Sequence, residues 1–290
     1  MVVGVVVVSA LSVILVSGRR GGDPPPAVPS WPDDVSAPAT TAQDRSEAMG
    51  SAVGRLPTGA DPLRVASIGD SVAFDADPGI RAALESTGRV VVVTRSFGGV
   101  GLLRPDFDRY LADTMATRPE VVTVMLGGWD LGEVVADPAR YSVRLEEVAD
   151  RLTRDGALVV WLGMPPSPPS EGIEGARLLI NSLFTDLARS RSDVVYVSTE
   201  SVLGGATGRF NRFLPGLDGF TAQVRKVREG RDDGHLCPAG AALIGDSVYT
   251  AVGGLYPLPA RADRWWSAEW TDDPRYDDPP GGCRSPVPSG

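Results

Sequence analysis

Short apolar runs alternate with amphipathic segments along the chain, from about residue 61 to residue 256. Five of these runs are rich in valine and bounded by turn-forming residues. This pattern is typical of strands buried on both faces of a parallel sheet. The runs lie in Leu63–Ser71, Gly88–Ser96, Glu120–Gly128, Gly156–Met164 and Ser192–Glu200. The pattern therefore predicts five buried strands.

Helical periodicity fills the intervals between these runs. Residues 78–88 place Ile80, Ala83 and Leu84 on one face, with a proline near the start and a glycine at the end. Similar stripes cover residues 106–119, 137–156, 175–190 and 238–253. Strands that alternate with helices in this way predict an α/β domain, a three-layer α/β/α sandwich around a parallel sheet.

The chain before this domain has a different composition. Residues 1–20 are apolar as far as Gly18 and end on an arginine pair, which predicts a membrane anchor or a signal-like segment, with a buried strand as the alternative. Residues 21–60 are rich in Pro, Ala and Ser and predict an extended linker. We therefore expect a domain at 61–256 held outside the membrane, with residues 257–290 as a tail packed on it.

Composition narrows the possible partners. The 290 residues carry a net charge of −9, which argues against a nucleic-acid partner. Export makes a disulfide between Cys237 and Cys283 plausible, with two free thiols as the alternative. No metal-ligand spacing is present, and neither a metal nor another cofactor is expected.

The pentapeptide IGDSV occurs twice, at Ile68–Val72 and at Ile244–Val248. Ser71 directly follows the first predicted strand, at the sheet edge where α/β folds bind their ligands. Ser247 falls within the last predicted helix, with no strand before it. We therefore take Ser71 as the candidate nucleophile and the second copy as a coincidence.

A serine nucleophile needs a base, and His235 is the only histidine in the chain. It lies just before the last predicted helix. Asp232, three residues earlier, is the predicted partner that orients the imidazole, and Asp233 is the close alternative. A solvated loop histidine is the competing interpretation.

These residues resemble the SGNH hydrolases, also called GDSL esterases. Gly69-Asp70-Ser71 matches the first block of that family, and Asp232–His235 matches the last. Gly99, or alternatively Gly101, matches the glycine block between them. The resemblance implies a flavodoxin-like fold with a five-stranded parallel sheet and a Ser-His-Asp site. It also implies an oxyanion hole that includes the N–H groups of Ser71 and Gly99.

The third block departs from the family. Gly127-Gly128-Trp129-Asp130 stands where the family has Gly-x-Asn-Asp, whose asparagine donates to the oxyanion. Loss of one such donor costs roughly 10²–10³ in rate. The Trp129 indole N–H is the only donor of that side chain. We predict that Trp129 and Asp130 contribute to oxyanion or substrate binding. The alternative for Trp129 is a packing role, and the alternatives for Asp130 are orienting the loops or forming a salt bridge.

The Trp-Asp pair resembles SGNH domains attached to bacterial membrane acyltransferases. That resemblance implies an exported serine esterase or O-acyltransferase of the cell envelope, acting on O-acyl, in particular O-acetyl, esters of glycans. The expected substrate is an acylated glycan or a small ester, and a membrane acyltransferase is the expected partner. The alternative from another class is a non-catalytic, glycan-binding protein on the same fold.

Three further segments are candidates for a role at the site. The proline-rich stretch Met164–Gly172 is predicted to wall it, and the long stretch Ser198–Phe220 to cover it beside His235. Trp265, Trp266 and Trp270 in the tail are predicted to pack on the domain, with sugar stacking as the alternative.

Overall fold

The computed structural model of the protein describes residues 54–287. A five-stranded, all-parallel sheet forms its centre, with the strand order β2-β1-β3-β4-β5. The strands are β1 (Leu63–Gly69), β2 (Val90–Thr94), β3 (Val121–Met125), β4 (Leu158–Leu162) and β5 (Val194–Val197). All five lie where the apolar runs predicted them. The predicted anchor and the linker as far as residue 53 lie outside the described residues.

Helices cover both faces of the sheet and complete the predicted α/β/α sandwich. The helices are α1 (Ser71–Glu85), α2 (Phe107–Met115), α3 (Leu131–Ala136), α4 (Pro138–Thr153), α5 (Glu174–Ser190), α6 (Thr199–Leu203) and α7 (Pro238–Gly253). Side chains of α2 to α5 share one buried cluster with the sheet. Side chains of α1, α6 and α7 form the cluster on the other face. The fold class predicted from the sequence is thus confirmed.

The contact between α1 and α7 depends on small residues. A Cβ added at Gly79 would lie 2.2 Å from the carbonyl oxygen of Ala241, and one added at Gly245 would lie 2.3 Å from that of Gly79. The two backbones therefore approach too closely for a side chain at either position. This packing holds the helix that begins at Ser71 against the helix that follows His235.

The second IGDSV copy is part of this packing. It lies in the middle of α7, as the sequence predicted. Its glycine is the Gly245 that contacts α1, its Asp246 forms an ion pair with Arg261 at 2.6 Å, and the Ser247 hydroxyl donates to the Leu243 carbonyl. Each of these three residues therefore has a structural role.

Two small antiparallel hairpins follow the central sheet. Their strands are β6 (Phe213–Pro215), β7 (Thr221–Gln223), β8 (Arg225–Arg228) and β9 (Arg231–Leu236). His235 thus lies on a strand, β9, and not in a loop before a helix. The predicted loop-like stretch 198–220 is instead built from α6, a 3₁₀ turn and most of the β6–β7 hairpin.

Both ends of the described chain pack on the domain. Gly54 N donates to the Leu255 carbonyl, and Arg55 Nε donates to Glu120 at 2.6 Å, so residues from 54 onward, expected in the linker, join the fold. In the tail, Trp265 is buried against α1 and α7. A disulfide joins Cys237 to Cys283, which attaches the tail two residues after His235.

Within residues 54–287, no helix is long and apolar enough to cross a membrane.

Candidate active site

Ser71 is the first residue of α1 and follows β1 with only Asp70 between them. A Cβ at Gly69 would lie 2.0 Å from the Met125 carbonyl oxygen, so only glycine fits at the end of this strand. Asp70 caps α1 by accepting from Val72 N at 3.0 Å, and its second oxygen accepts from Gly128 N at 3.3 Å. Asp70 therefore ties the Ser71 turn to the loop after β3.

His235 lies within hydrogen-bonding distance of Ser71. The distance from His235 Nε2 to Ser71 Oγ is 2.9 Å, and Nδ1 lies 2.5 Å from Asp233 Oδ1. An ionised carboxylate only accepts hydrogen bonds, so Nδ1 carries the proton and Nε2 is left to accept from the serine hydroxyl. The three side chains thus form a Ser-His-Asp arrangement at the carboxyl edge of the sheet.

The carboxylate in this arrangement belongs to Asp233, and the prediction of Asp232 was wrong. The β8–β9 ladder is irregular at residues 233–235, because Val227 pairs with Asp232 while Arg225 pairs with Leu236. In this stretch Asp233 Oδ1 accepts from the His235 backbone N–H at 2.9 Å as well as from Nδ1, which holds the carboxylate against the imidazole. Asp232 instead pairs with Arg212 at 2.6 Å. The spacing of Asp232 from His235 would suit a turn leading into a helix, and the chain forms a strand there.

The surroundings favour the charged forms of Asp233 and His235. Burial raises the pKa of Asp233, but hydrogen bonds from His235 and Arg228 outweigh it and hold this pKa well below the usual range. The hydrogen bond to Asp233 raises the pKa of His235, partly opposed by burial. The site is therefore suited to stabilise an imidazolium that forms when His235 takes a proton.

The loop after β3 places its two candidate residues in different environments. The Trp129 side chain lines the pocket beside Ser71 and is 52% exposed. Asp130, expected at the oxyanion or substrate site, is instead buried: it accepts from Leu102 N at 2.8 Å and from the Tyr141 hydroxyl at 3.0 Å. The prediction of a substrate-binding Asp130 was therefore wrong, because its buried carboxylate connects the loop after β3 to Leu102 in the loop after β2.

The glycine block runs beside Ser71. A Cβ at Gly98 would lie 3.8 Å from Ser71 Cβ, and Gly99 follows with a φ of +93°, in the region that favours glycine. A Cβ added at Gly101, the alternative to Gly99, would lie 2.4 Å from Asp130 Oδ1. Gly101 therefore serves the packing of Asp130, and Gly98, the residue before Gly99, is the glycine of this block that approaches the Ser71 side chain.

A pocket of about 240 Å³ opens over Ser71 and His235. Its walls are largely apolar. The stretch Met164–Gly172, which was predicted to wall the site, supplies several of the lining residues. The apolar lining residues include Val72, Met125, Leu126, Met164, Pro165, Pro166 and Ile173. Glu171 adds a carboxylate and accepts from Gly234 N at 3.2 Å. The stretch 198–220, expected to cover the site, supplies none of the lining residues and reaches the His235 strand through the Arg212–Asp232 pair.

Sequence reasoning missed two basic residues that support this pocket. Arg225 is fully buried and donates to the carbonyls of Gly234 (2.5 Å) and Pro166 (3.1 Å), and burial lowers its pKa to about 9. Lys226 is also buried and pairs with Asp75. Adjacent basic residues in a short polar strand usually indicate a solvated surface, so the sequence gives no signal for their burial.

The five-stranded parallel sheet with helices on both faces is the SGNH, or GDSL-type, α/β/α fold. The chain belongs to a family whose members are described as proteins of unknown function (DUF459), and the family model matches residues 64–251. None of the curated proteins matches the sequence.

Several solved structures are similar to this chain. A protein of the lipolytic G-D-S-L family from Desulfitobacterium hafniense DCB-2 is 16% identical over 65% of this chain and 99% of that chain, with a TM-score of 0.50. The catalytic domain of peptidoglycan O-acetyltransferase A from Streptococcus pneumoniae is 14% identical over 70% and 99%, with a TM-score of 0.44. The periplasmic domain of a Salmonella ser. Paratyphi A lipopolysaccharide acetyltransferase is 14% identical over 66% and 84%, with a TM-score of 0.47. At these identities the similarity concerns the fold.

Proposed function

We propose that the protein is an exported serine esterase or O-acyltransferase that acts on O-acyl esters, O-acetyl esters in particular, of cell-envelope glycans. The observation that carries this proposal is the 2.9 Å contact between Ser71 Oγ and His235 Nε2, with Asp233 on the other imidazole nitrogen. A serine, a base and a group that orients the base are the requirements of acyl transfer through a covalent intermediate.

The proposed reaction has two halves. Ser71 Oγ attacks the acyl carbonyl carbon while His235 Nε2 takes the hydroxyl proton, and Asp233 stabilises the resulting imidazolium. Collapse of the tetrahedral intermediate breaks the bond to the alcohol oxygen, which receives that proton from His235. In the second half, water or a glycan hydroxyl attacks the acyl-enzyme with the same proton transfers, which regenerates Ser71.

The oxyanion is proposed to form beside the start of α1. The N–H of Ser71 belongs to the first turn of that helix, where N–H groups lack an intrahelical acceptor and the helix dipole favours negative charge. We propose that the Gly99 N–H and the Trp129 indole complete the hole. The proximity of Gly98, the residue before Gly99, to Ser71 and the place of Trp129 in the pocket lining support this assignment.

An extracytoplasmic location is part of the proposal. The Cys237–Cys283 disulfide supports it, because disulfides persist in oxidising compartments. The apolar segment at residues 1–20 supports an anchor or an export signal. We propose that the protein works with a membrane acyltransferase that supplies acyl groups, as the Trp129-Asp130 resemblance implies.

The test of this proposal is covalent labelling of the full chain with a fluorophosphonate, followed by peptide mapping. We expect the label on Ser71. Hydrolysis and transfer are then separated by adding a chitooligosaccharide to a p-nitrophenyl acetate assay: an esterase releases acetate, whereas a transferase yields acetylated sugar. A folded protein that takes no label would overturn the enzyme assignment.

A second candidate function is glycan binding without catalysis. The half-exposed Trp129, at the position where the resembling family has asparagine, is the observation that favours it. Aromatic faces stack on sugar rings, and a missing oxyanion donor weakens catalysis. This candidate predicts that glycan binding survives unchanged when Ser71 is replaced.

We expect replacement of Trp129 by phenylalanine to lower kcat by roughly 10²-fold, because it removes the indole N–H and keeps an aromatic face. Replacement of Trp129 by asparagine should retain more activity than Trp129→Phe, since an amide donor returns. The kcat of both variants on p-nitrophenyl acetate checks this expectation. Equal activity of Trp129→Phe and wild type would exclude the indole as a donor.

The acid limb of the pH profile should report His235. As the base, His235 must be neutral, so kcat/KM rises with pH through its pKa. The hydrogen bond to Asp233 raises that pKa, so the limb should lie above 6.5, the ordinary value for histidine. The control, Asp233→Asn, should shift the limb to lower pH. A wild-type limb at or below 6.5 contradicts the expectation.

A further inference from the structure

A buried ion pair lies between the two elements that carry Ser71 and His235. Lys226 Nζ is 3.0 Å from Asp75 Oδ1, and both side chains are 3% exposed. Lys226 is the only lysine in the chain. Removing two charges from water is costly, and replacing a buried pair by apolar residues is often neutral for stability. Stability alone therefore gives a weak reason for this pair.

The connections of Asp75 suggest a different reason. Asp75 follows Ser71 by four residues on α1, so the two side chains lie on the same helix face, one turn apart. Its second carboxylate oxygen accepts from Leu236 N at 3.0 Å, and Leu236 directly follows His235. A single carboxylate thus joins the nucleophile helix to the histidine strand, which are about 160 residues apart in sequence.

Lys226 and the tail hold that carboxylate in place. Lys226 lies on β8, which pairs with β9, and its ammonium also donates to the Arg275 carbonyl at 2.8 Å. The buried Tyr276 hydroxyl donates to the Asp75 carbonyl at 2.9 Å. Three parts of the chain therefore meet at Asp75: the nucleophile helix, the β8–β9 hairpin and the tail.

We propose that Asp75 and Lys226 are positioning residues that set the distance between Ser71 Oγ and His235 Nε2. This inference rests on the proposed function, because it assumes serine chemistry at Ser71. Reaction rates depend steeply on such placement, and a misplacement of about 1 Å can cost on the order of 10²-fold. The pair Asp233–His235 needs no such link, since both residues lie on β9.

A double replacement separates position from charge. The charged groups near His235 include Asp233 on its own strand, Asp75 on α1, Lys226 on β8, Glu171 and Asp70. Of these, Asp233 and Asp75 raise the pKa of His235, and Lys226 lowers it. Asp75→Leu with Lys226→Met removes one charge of each sign, together with the acceptor of the Leu236 N–H. The net charge around the imidazole is then unchanged, so an effect on rate reports position.

The experiment uses the full chain, purified without a histidine tag, so that His235 gives the only imidazole signals in a ¹⁵N NMR spectrum. It compares wild type, D75L/K226M and the control R55M/E120Q, which removes an ion pair of 2.6 Å near the start of β3. The measurements are kcat and KM on p-nitrophenyl acetate, the rate of Ser71 labelling by the fluorophosphonate, and Tm.

For D75L/K226M we expect kcat and the labelling rate to fall on the order of 10²-fold, with KM within about twofold of wild type. The hydrogen-bonded Nδ1–H signal of His235 should persist. The control should lower Tm and keep kcat. If the double variant does not fold, Tyr276→Phe replaces it, with an expected loss of about fivefold in kcat at unchanged KM.

Two outcomes separate this inference from the proposed function. A wild type that is neither labelled nor active overturns both. A labelled, active wild type together with a folded D75L/K226M variant of unchanged kcat overturns the positioning role alone. The pair would then be a structural feature of the fold, and Ser71 would still be the nucleophile.

Discussion

Replacing Ser71 with alanine is expected to lower kcat on p-nitrophenyl acetate by at least about 10⁴-fold, because no covalent acyl intermediate can form without its hydroxyl. Labelling by a fluorophosphonate should vanish as well. The matched control is Ser247→Ala, which changes the serine of the second IGDSV copy. Its hydroxyl donates to the Leu243 carbonyl within α7, and its loss should leave rate and labelling unchanged.

Stability measurements keep this comparison free of folding effects. Alanine is favoured over serine inside a helix by about 0.5 kcal/mol, so Ser247→Ala should be as stable as wild type or slightly more so. Ser71 lies at the first turn of α1, where Asp70 supplies the cap, and Ser71→Ala should also keep its Tm. An active Ser71→Ala variant with wild-type Tm would rule out Ser71 as the nucleophile.

The central sheet could be predicted from the sequence because its physical signal is local. Strands covered on both faces need near-continuous apolar residues, and the central run Val121–Met125, in which all five residues are buried, meets that need. Ser71 was also predictable, since it directly follows such a run. The copy at Ser247 was distinguished by the helical periodicity around it.

Which carboxylates belong to the site could not be predicted, because that depends on local backbone geometry, which the pattern of residue types does not contain. Asp232 and Asp233 are chemically identical, and only the local backbone geometry of β9, which is irregular at residues 233–235, decides which of them contacts His235. Asp130 resembles a site residue because it follows Trp129, but its carboxylate is buried and accepts hydrogen bonds from Leu102 N and the Tyr141 hydroxyl. The Asp75–Lys226 pair spans 151 residues, so no short-range spacing could reveal it.

Replacing Asp233 with asparagine is expected to lower kcat by roughly 10³-fold or more, because the amide can hold the wrong imidazole tautomer and does not stabilise the imidazolium. Asp232→Asn is the matched control, one residue away. The side chains of Asp232 and its partner Arg212 are each 34% exposed, and such surface pairs contribute about 0–1 kcal/mol. The kcat of Asp232→Asn should therefore stay close to that of wild type.

The pH dependence of stability adds an independent check on Asp233. The pKa of Asp233 is lower in the folded protein than in the unfolded chain. The ionised carboxylate therefore stabilises the fold at any pH above the unfolded-state pKa. This stabilisation is lost as the pH falls through the folded-state pKa. Asp233→Asn should therefore lower Tm at neutral pH, and the difference from wild type should shrink in acid. A larger loss of kcat in Asp232→Asn than in Asp233→Asn would contradict the assignment, because the carboxylate that faces His235 must be the one that supports the proton transfer.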